Sequence, residues 1–193
     1  MYNIFTKLKS TTIAIIASST LLLAGTAMAA PKDKTPGKPG TDNIVQIASA
    51  VNAQLGVFDT VLAAATCEYF DGAVVDILTG KDKVTLFAPV DSAFAELGLD
   101  ESNVCDAFAG DPGALLTILA YHVTDGRRFS NSVFNRNGNS KEIEMLLGTG
   151  YITTEGGMIY GMSNVEPIGI VGDFFDINAS NGVIHVINTV LLP

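Results

Sequence analysis

The chain has 193 residues, 48% of them hydrophobic, and a formal charge of −9. That length fits one domain with a tail. The acidic balance argues against nucleic acid and against an anionic membrane surface, since binding either needs clustered lysine and arginine.

The first 29 residues read as a signal peptide. Lys7 and Lys9 give a positive start, an apolar stretch runs from Thr12 to Gly25, and Ala27-Met28-Ala29 offers small residues at −3 and −1. Cleavage is expected after Ala29. The apolar run falls short of the roughly 20 residues that a membrane span requires, and no cysteine stands at the cleavage site to take a lipid. No membrane insertion is therefore expected after cleavage, and the product is expected to be a monomer, periplasmic or extracellular. Cleavage removes two lysines and no acid, which leaves 9 basic and 20 acidic residues and a formal charge of −11.

Residues 30–41, APKDKTPGKPGT, hold Pro, Gly and Lys with almost nothing to bury, and read as a flexible linker. The folded domain is expected over 42–193. Asp42 looks like a helix N-cap, followed by Ile44, Ile47, Ala48, Val51 and Leu55 at helical spacing and stopped by Gly56. A second helix carries Phe58, Val61, Leu62 and Ala65, with Cys67 at its end, and a third covers Asp71 to Leu78 before Gly80. Val84 to Ala88 is a short continuous apolar run, as expected of a strand covered on both faces, and Pro89 punctuates it. Asp91 is placed to cap a helix from Ser92 to Leu97, which Gly98 ends. A short helix holding Val104, Cys105 and Phe108 follows. Asp111-Pro112 then opens a helix whose buried face is Leu115, Leu116, Ile118 and Leu119.

Beyond Tyr121 the pattern changes to short β-rich runs separated by glycines: Ile143 to Leu147, Tyr151 to Thr154, Met158 to Tyr160, Val165 to Val171 and Val183 to Leu192. Helices first and strands second predict an α+β domain with a compact antiparallel sheet. No internal repeat is present, so one such domain is expected.

Cys67 and Cys105 are the only cysteines. Export favours a disulfide between them; two buried free thiols or an intermolecular bridge are the alternatives. Two cysteines so far apart lack the paired spacing of a zinc motif.

His122, at the helix-to-strand join, has the chemistry of a general base or metal ligand. The favoured expectation is a histidine held by a hydrogen bond to Asp91 or nearby backbone, because a buried imidazole left unsatisfied is costly. His185 lies in a strand apolar on both faces and reads as a satisfied sheet residue. No G-x-S-x-G elbow occurs and no phosphate-cradling glycine loop follows a strand. The carboxylate pairs Asp100-Glu101 and Glu142 with Glu144 read as solvated. No catalytic residue, cofactor or metal is expected. Asn178-Ala179-Ser180 matches a glycosylation acceptor and is treated as incidental.

Three stretches, TLFAPVDSAF (residues 85–94), LAYHV (119–123) and NGVIHVINTVLLP (181–193), occur in an order and at a spacing that resembles the fasciclin domain, a secreted adhesion and matrix module. The similarity covers roughly Asn43 to Pro193. It implies N-terminal helices packed along a wedge-shaped antiparallel β-sandwich. Tyr121 and His122 match a Tyr-His pair linked in animal relatives to receptor contact, which makes them possible partner-contact residues. Asp176-Ile177 matches a dipeptide of integrin-binding motifs but carries little weight here. The sequence departs from the family at Val90, where Ser or Thr is usual, at Asn188, where Asp is common, and in the apolar connection from Glu166 to Gly172.

The resemblance implies a non-catalytic adhesion or matrix-association protein whose partner is a cell-surface or matrix protein or a polysaccharide. Its binding patch is expected around Tyr121-His122 or the β-edge from Glu166 to Asp173. The alternative function is a binder of a small apolar ligand in a cleft between helices and sheet.

Overall fold

The computed structural model describes residues 40–134 and 139–193; the expected signal peptide, 1–29, and all but the last two residues of the expected 30–41 linker lie outside them.

Helix α1 (Ile44–Leu55) starts one residue later than Asp42 would dictate. Asn43 is the cap, its side chain accepting from the Gln46 N–H while the Gln46 side chain accepts from the Asn43 N–H, a reciprocal capping box. The Asp42 carbonyl instead receives the Ser180 N–H at 2.8 Å. Gly56 closes α1 in the left-handed conformation, where a side chain would be strained. Helices α2 (Asp59–Ala65) and α3 (Ala73–Thr79) follow, then strand β1 (Val84–Pro89).

Asp91 does not cap its own helix. It is the first residue of α4 (Asp91–Ala95), and its carboxylate accepts from the N–H groups of Asp59 and Thr60, at 3.2 and 2.8 Å. It therefore supplies α2 with the N-terminal cap that Phe58, having no side-chain acceptor, cannot. Val90 precedes α4 and makes no side-chain cap, consistent with the lost hydroxyl at that position. Helices α5 (Val104–Ala107) and α6 (Pro112–Ala120) come next, the latter capped by Asp111 on the Ala114 N–H with proline in its first turn, as the sequence predicts. The C-terminal half adds β2 (Val123–Asp125), α7 (Ser130–Val133), β3 (Lys141–Glu144), β4 (Tyr151–Glu155), β5 (Met158–Tyr160), β6 (Ile177–Ala179) and β7 (Gly182–Ile187).

The strands form two sheets, ordered β2-β1-β7-β6 and β3-β4-β5. The expected all-antiparallel arrangement is wrong at one place, the centre: β1 and β7 run parallel, from Val84 opposite Gly182 to Pro89 opposite Ile187. Both strands are buried along their whole length. Continuous apolar runs of that kind are what a parallel pair covered on both faces requires.

Alternation along this pair makes two cores. Leu86, Ala88, Ile184 and Val186 pack under the helices with Phe58, Val104 and Leu115. Phe87 and Ile187 face the other way, into Ile143, Ile152, Ile159 and Tyr121 beneath the three-stranded sheet. The apolar connection beyond Glu166 is explained by the same layering: it is not a strand but two single bridges. Ile168 pairs with Ile159 of β5 and Ile170 with Ile187 of β7, which stitches one sheet to the other.

Cys67 and Cys105 form a disulfide that ties the end of α2 to α5 across 38 positions. Closing a loop of that length contributes about 4 kcal/mol by restricting the unfolded chain. Reduction, or a Cys67→Ala/Cys105→Ala variant, should lower the unfolding free energy by that order in urea titration. A change below about 1 kcal/mol would contradict this role.

Candidate functional site

Tyr121 and His122 end α6 and enter β2, and both are buried. The Tyr121 hydroxyl donates to the Tyr151 carbonyl at 2.6 Å and accepts the Met162 N–H at 2.9 Å. Burial pushes its pKa up. The His122 ring sits between the Ile118 carbonyl, 2.7 Å from Nδ1, and the Leu191 N–H, 2.9 Å from Nε2. These partners fix a neutral imidazole protonated on Nδ1, with Nε2 as acceptor. Of the two partners expected for His122 it has the backbone one, and the expected network with Asp91 is corrected, since that carboxylate is engaged at the start of α2. Neither Tyr121 nor His122 is exposed to touch a partner; the pair joins α6 to the C-terminal strand and to the second sheet.

His185 stacks on Phe87 with ring centroids 5.6 Å apart, and is likewise buried. Its Nε2–H donates to the Arg128 carbonyl at 2.8 Å, and Nδ1 faces the Asp176 N–H at 3.4 Å. Burial holds its pKa below the usual range. Asp176 and Ser130 lie beside it, so a serine, a carboxylate and an imidazole do meet. Their order is wrong for nucleophilic catalysis. The carboxylate takes the Ser130 hydroxyl directly at 2.6 Å and the Ser130 N–H at 2.5 Å, while the imidazole turns to a carbonyl. A triad needs the imidazole on the serine and the carboxylate behind the imidazole. Asp176 holds a left-handed backbone here, with φ of 57°, and locks α7 to the start of β6. Asp176-Ile177 is thus part of a brace rather than a presented dipeptide.

Asn181, which opens the stretch 181–193 but is not singled out by the sequence as a site residue, is the other buried polar residue that matters. Its Nδ2 donates to the Leu78 and Gly80 carbonyls, and its Oδ1 accepts the Ile44 N–H. One side chain thereby joins α1, α3 and the β6–β7 turn. Among the described residues, no group of three or more His, Cys, Asp or Glu is placed to hold a metal, and no helix is long and apolar enough to cross a membrane.

The cleft between helices and sheet is lined by Val74, Leu78, Leu116, Leu119, Val123 and Leu147, and encloses about 10 Å³. That is room for no more than one water. The larger concavity, about 400 Å³, opens on the three-stranded sheet beside Glu142, Glu144, Gly148, Gly150 and Tyr151. Tyr151 lines it and Met162 lies against Gly150 at its wall. Of seven exposed large hydrophobics among the described residues, Leu147, Tyr151, Tyr160, Met162 and Val165 fall within one stretch of the chain.

The buried imidazole of His122 makes stability pH-dependent. Burial lowers its pKa from 6.5 to about 4, so below pH 6.5 the unfolded chain binds a proton that the folded one refuses. Stability falls as pH drops through that window, and the loss of about 3 kcal/mol is complete below the folded value. His185 acts in the same direction. Urea unfolding of His122→Leu should cost about 1–3 kcal/mol at neutral pH, because the Leu191 N–H loses its acceptor. The variant should also lose much of the slope between pH 6.5 and 4. An unchanged slope would mean that His122 is already charged in the fold.

Residues 61–193 match the fasciclin domain. Protein sll1483 of Synechocystis sp. is 31% identical over 164 residues, covering 84% of this chain and 81% of that one. Uncharacterized protein sll1735 of the same organism is 31% identical over 152 residues, 78% of this chain and 97% of that one. Transforming growth factor-beta-induced protein ig-h3 of Sus scrofa is 32% identical over 120 residues, 62% of this chain but only 16% of its own length. The solved FAS1 domain pair from the insect cell adhesion molecule Fasciclin I superposes with a TM-score of 0.55 at 16% identity, over 80% of this chain and 52% of that one. The chain belongs to the fasciclin domain family.

Proposed function

We propose that this chain is an exported, non-catalytic binding module of the adhesion type. The observation that carries the proposal is the division between inside and outside. Both imidazoles that the sequence singles out are engaged in holding elements together, while Tyr151 and Tyr160 are exposed on the outer face of the three-stranded sheet and Met162 is exposed beside Gly150. Exposed aromatic and methionine side chains in one patch are the composition of recognition surfaces. A disulfide-closed domain suits an oxidising, extracytoplasmic setting. The cleft lined by Leu116, Leu119 and Val123 has room for about one water, which does not favour the small-ligand alternative at that place.

The binding patch moves accordingly. Tyr121-His122 gives way to the side chains lying over it, Tyr151 and Met162, whose backbone the Tyr121 hydroxyl holds. The Glu166 to Asp173 edge is partly spent on the bridges of Ile168 and Ile170. A surface coated with the protein should retain cells of its own source well above an albumin coat, and Tyr151→Ala/Tyr160→Ala should lose most of that retention with its melting temperature intact. Retention no better than albumin would overturn the adhesion function. Full retention by the variant would move the patch elsewhere.

A further inference from the structure

The register of the three-stranded sheet decides what its two faces carry. Ile143 stands opposite Ile152, and Thr154 opposite Ile159, all pointing into the core. The residues between them therefore point out. Across the strands, Glu142 aligns with Thr153 and Tyr160, Glu144 with Tyr151, and Glu155 with Met158. Side chains directly opposite stand about 5 Å apart at Cβ, so Glu144 lies beside the Tyr151 ring, while Thr153 stands between Glu142 and Tyr160. Tyr151 is 44% exposed and Tyr160 38%. The concavity of about 400 Å³ opens at this face, between Glu142, Glu144 and Tyr151. Gly148 and Gly150 leave its wall without side chains, and Met162 Sδ lies only 2.5 Å from where a Cβ on Gly150 would stand.

The outward charged side chains of β3, β4 and β5 are all acidic: Glu142, Glu144 and Glu155. Lys141 does not neutralise the face, because its amine is turned to the Ser132 carbonyl on the other side of the strand.

We propose that this outer face, β3-β4-β5 with its concavity, is the docking surface of the domain and that it takes a cationic segment of a partner protein, a stretch bearing lysine or arginine. This deepens the binding-module proposal by naming the partner's chemistry. An ammonium or guanidinium entering the concavity meets Glu142 and Glu144 on one side and the negative face of the Tyr151 ring on another, a combination that holds cations. The aliphatic stem of the same side chain lies against Tyr151 and Met162. An anionic polysaccharide is repelled. A neutral one finds carboxylate acceptors but few donors. A second copy docking the same face would bring like charges together, since a two-fold contact is self-complementary. Successive outward carboxylates on β3 are two residues apart, about 7 Å at the backbone, which suits separate basic side chains along an extended segment better than one shared ion.

Fluorescence anisotropy of a labelled octalysine peptide against the full exported chain tests this, with octaglutamate as the opposite probe. Octalysine should bind and octaglutamate should not, with affinity falling as salt rises from about 50 to about 300 mM. Glu142→Gln/Glu144→Gln should weaken octalysine about tenfold or more, and Tyr151→Ala about fivefold. Glu96→Gln/Glu101→Gln, which removes the same charge on the helical side, should change it less than about twofold. An equal loss in that control would reduce the effect to bulk charge and overturn the assignment. So would competition by calcium or dextran that vanishes in the Glu142→Gln/Glu144→Gln variant, which would give the face to a metal or a sugar. If octalysine fails while coated protein still retains cells, the cationic partner is wrong and the adhesion module stands; if both fail, both are wrong.

Discussion

Phe87 and His185 face each other in the parallel ladder between β1 and β7, rings stacked, with one core above the ladder and another below it. The ladder is the constraint on which the other elements depend, because each face of it is covered by what it must hold. Its start leaves no room for variation. A Cβ on Gly182 would lie 2.2 Å from the Val84 carbonyl oxygen and 2.6 Å from Ile44, so the first pair of the ladder, Val84 and Gly182, closes only because residue 182 has no side chain. Asn181, one residue earlier, carries the hydrogen bonds that fasten α1 and α3 to the same end. Strand partners almost a hundred positions apart make this a fold of long-range contacts. The last strand must be present before either core can close.

The polar residues inside the domain follow from that layering. A strand pair buried on both faces still has to connect to loops and helices, and each connection brings a backbone group into the interior. His122 receives the N–H of Leu191 and gives its own to Ile118, and Thr124 and Thr154 donate to the Glu144 and Val133 carbonyls. Among the described residues no buried side-chain nitrogen or oxygen is left without a partner. Such groups cost little once paired and several kcal/mol when not. The hydrogen-bonding capacity of the two imidazoles is thus already used inside the domain.

Much of the fold was legible because local signals and tertiary demands agree. Asp111-Pro112 opens α6, Gly56 closes α1, and the apolar run at Val84 becomes a strand. Strand direction was not read correctly, although the continuous burial of β1 and β7 does carry that signal. Asp91 shows why caps can mislead. An aspartate before a helix ordinarily serves that helix, yet here the turn delivers its carboxylate to a different one, and only the packing of α2 against α4 reveals it. Tyr121-His122 misled for a related reason. An aromatic residue beside a histidine at a junction has the composition of a contact site, but its hydroxyl is taken by Tyr151 and Met162, 30 and 41 residues away, in β4 and just past β5. Asn181 is a common turn residue, and nothing nearby in sequence announces its three distant partners.

The stretches that carry the family resemblance all feed the interior. Thr85 to Phe94 is β1 and the entry to α4, Leu119 to Val123 is the junction held by His122, and Asn181 to Pro193 is the closing strand and the segment that His122 grips. The outer face of β3-β4-β5 lies in none of them. Membership of the family therefore reports how the two cores are assembled and is silent on what the exposed sheet meets. A face whose inward residues are fixed by the core and whose outward ones are free of it can change its charge and aromatic content without disturbing the fold, since alternation separates the two sets along every strand. In this chain the outward set is Glu142, Glu144, Tyr151, Thr153, Glu155, Met158 and Tyr160, and the choice of partner has to be sought in those side chains.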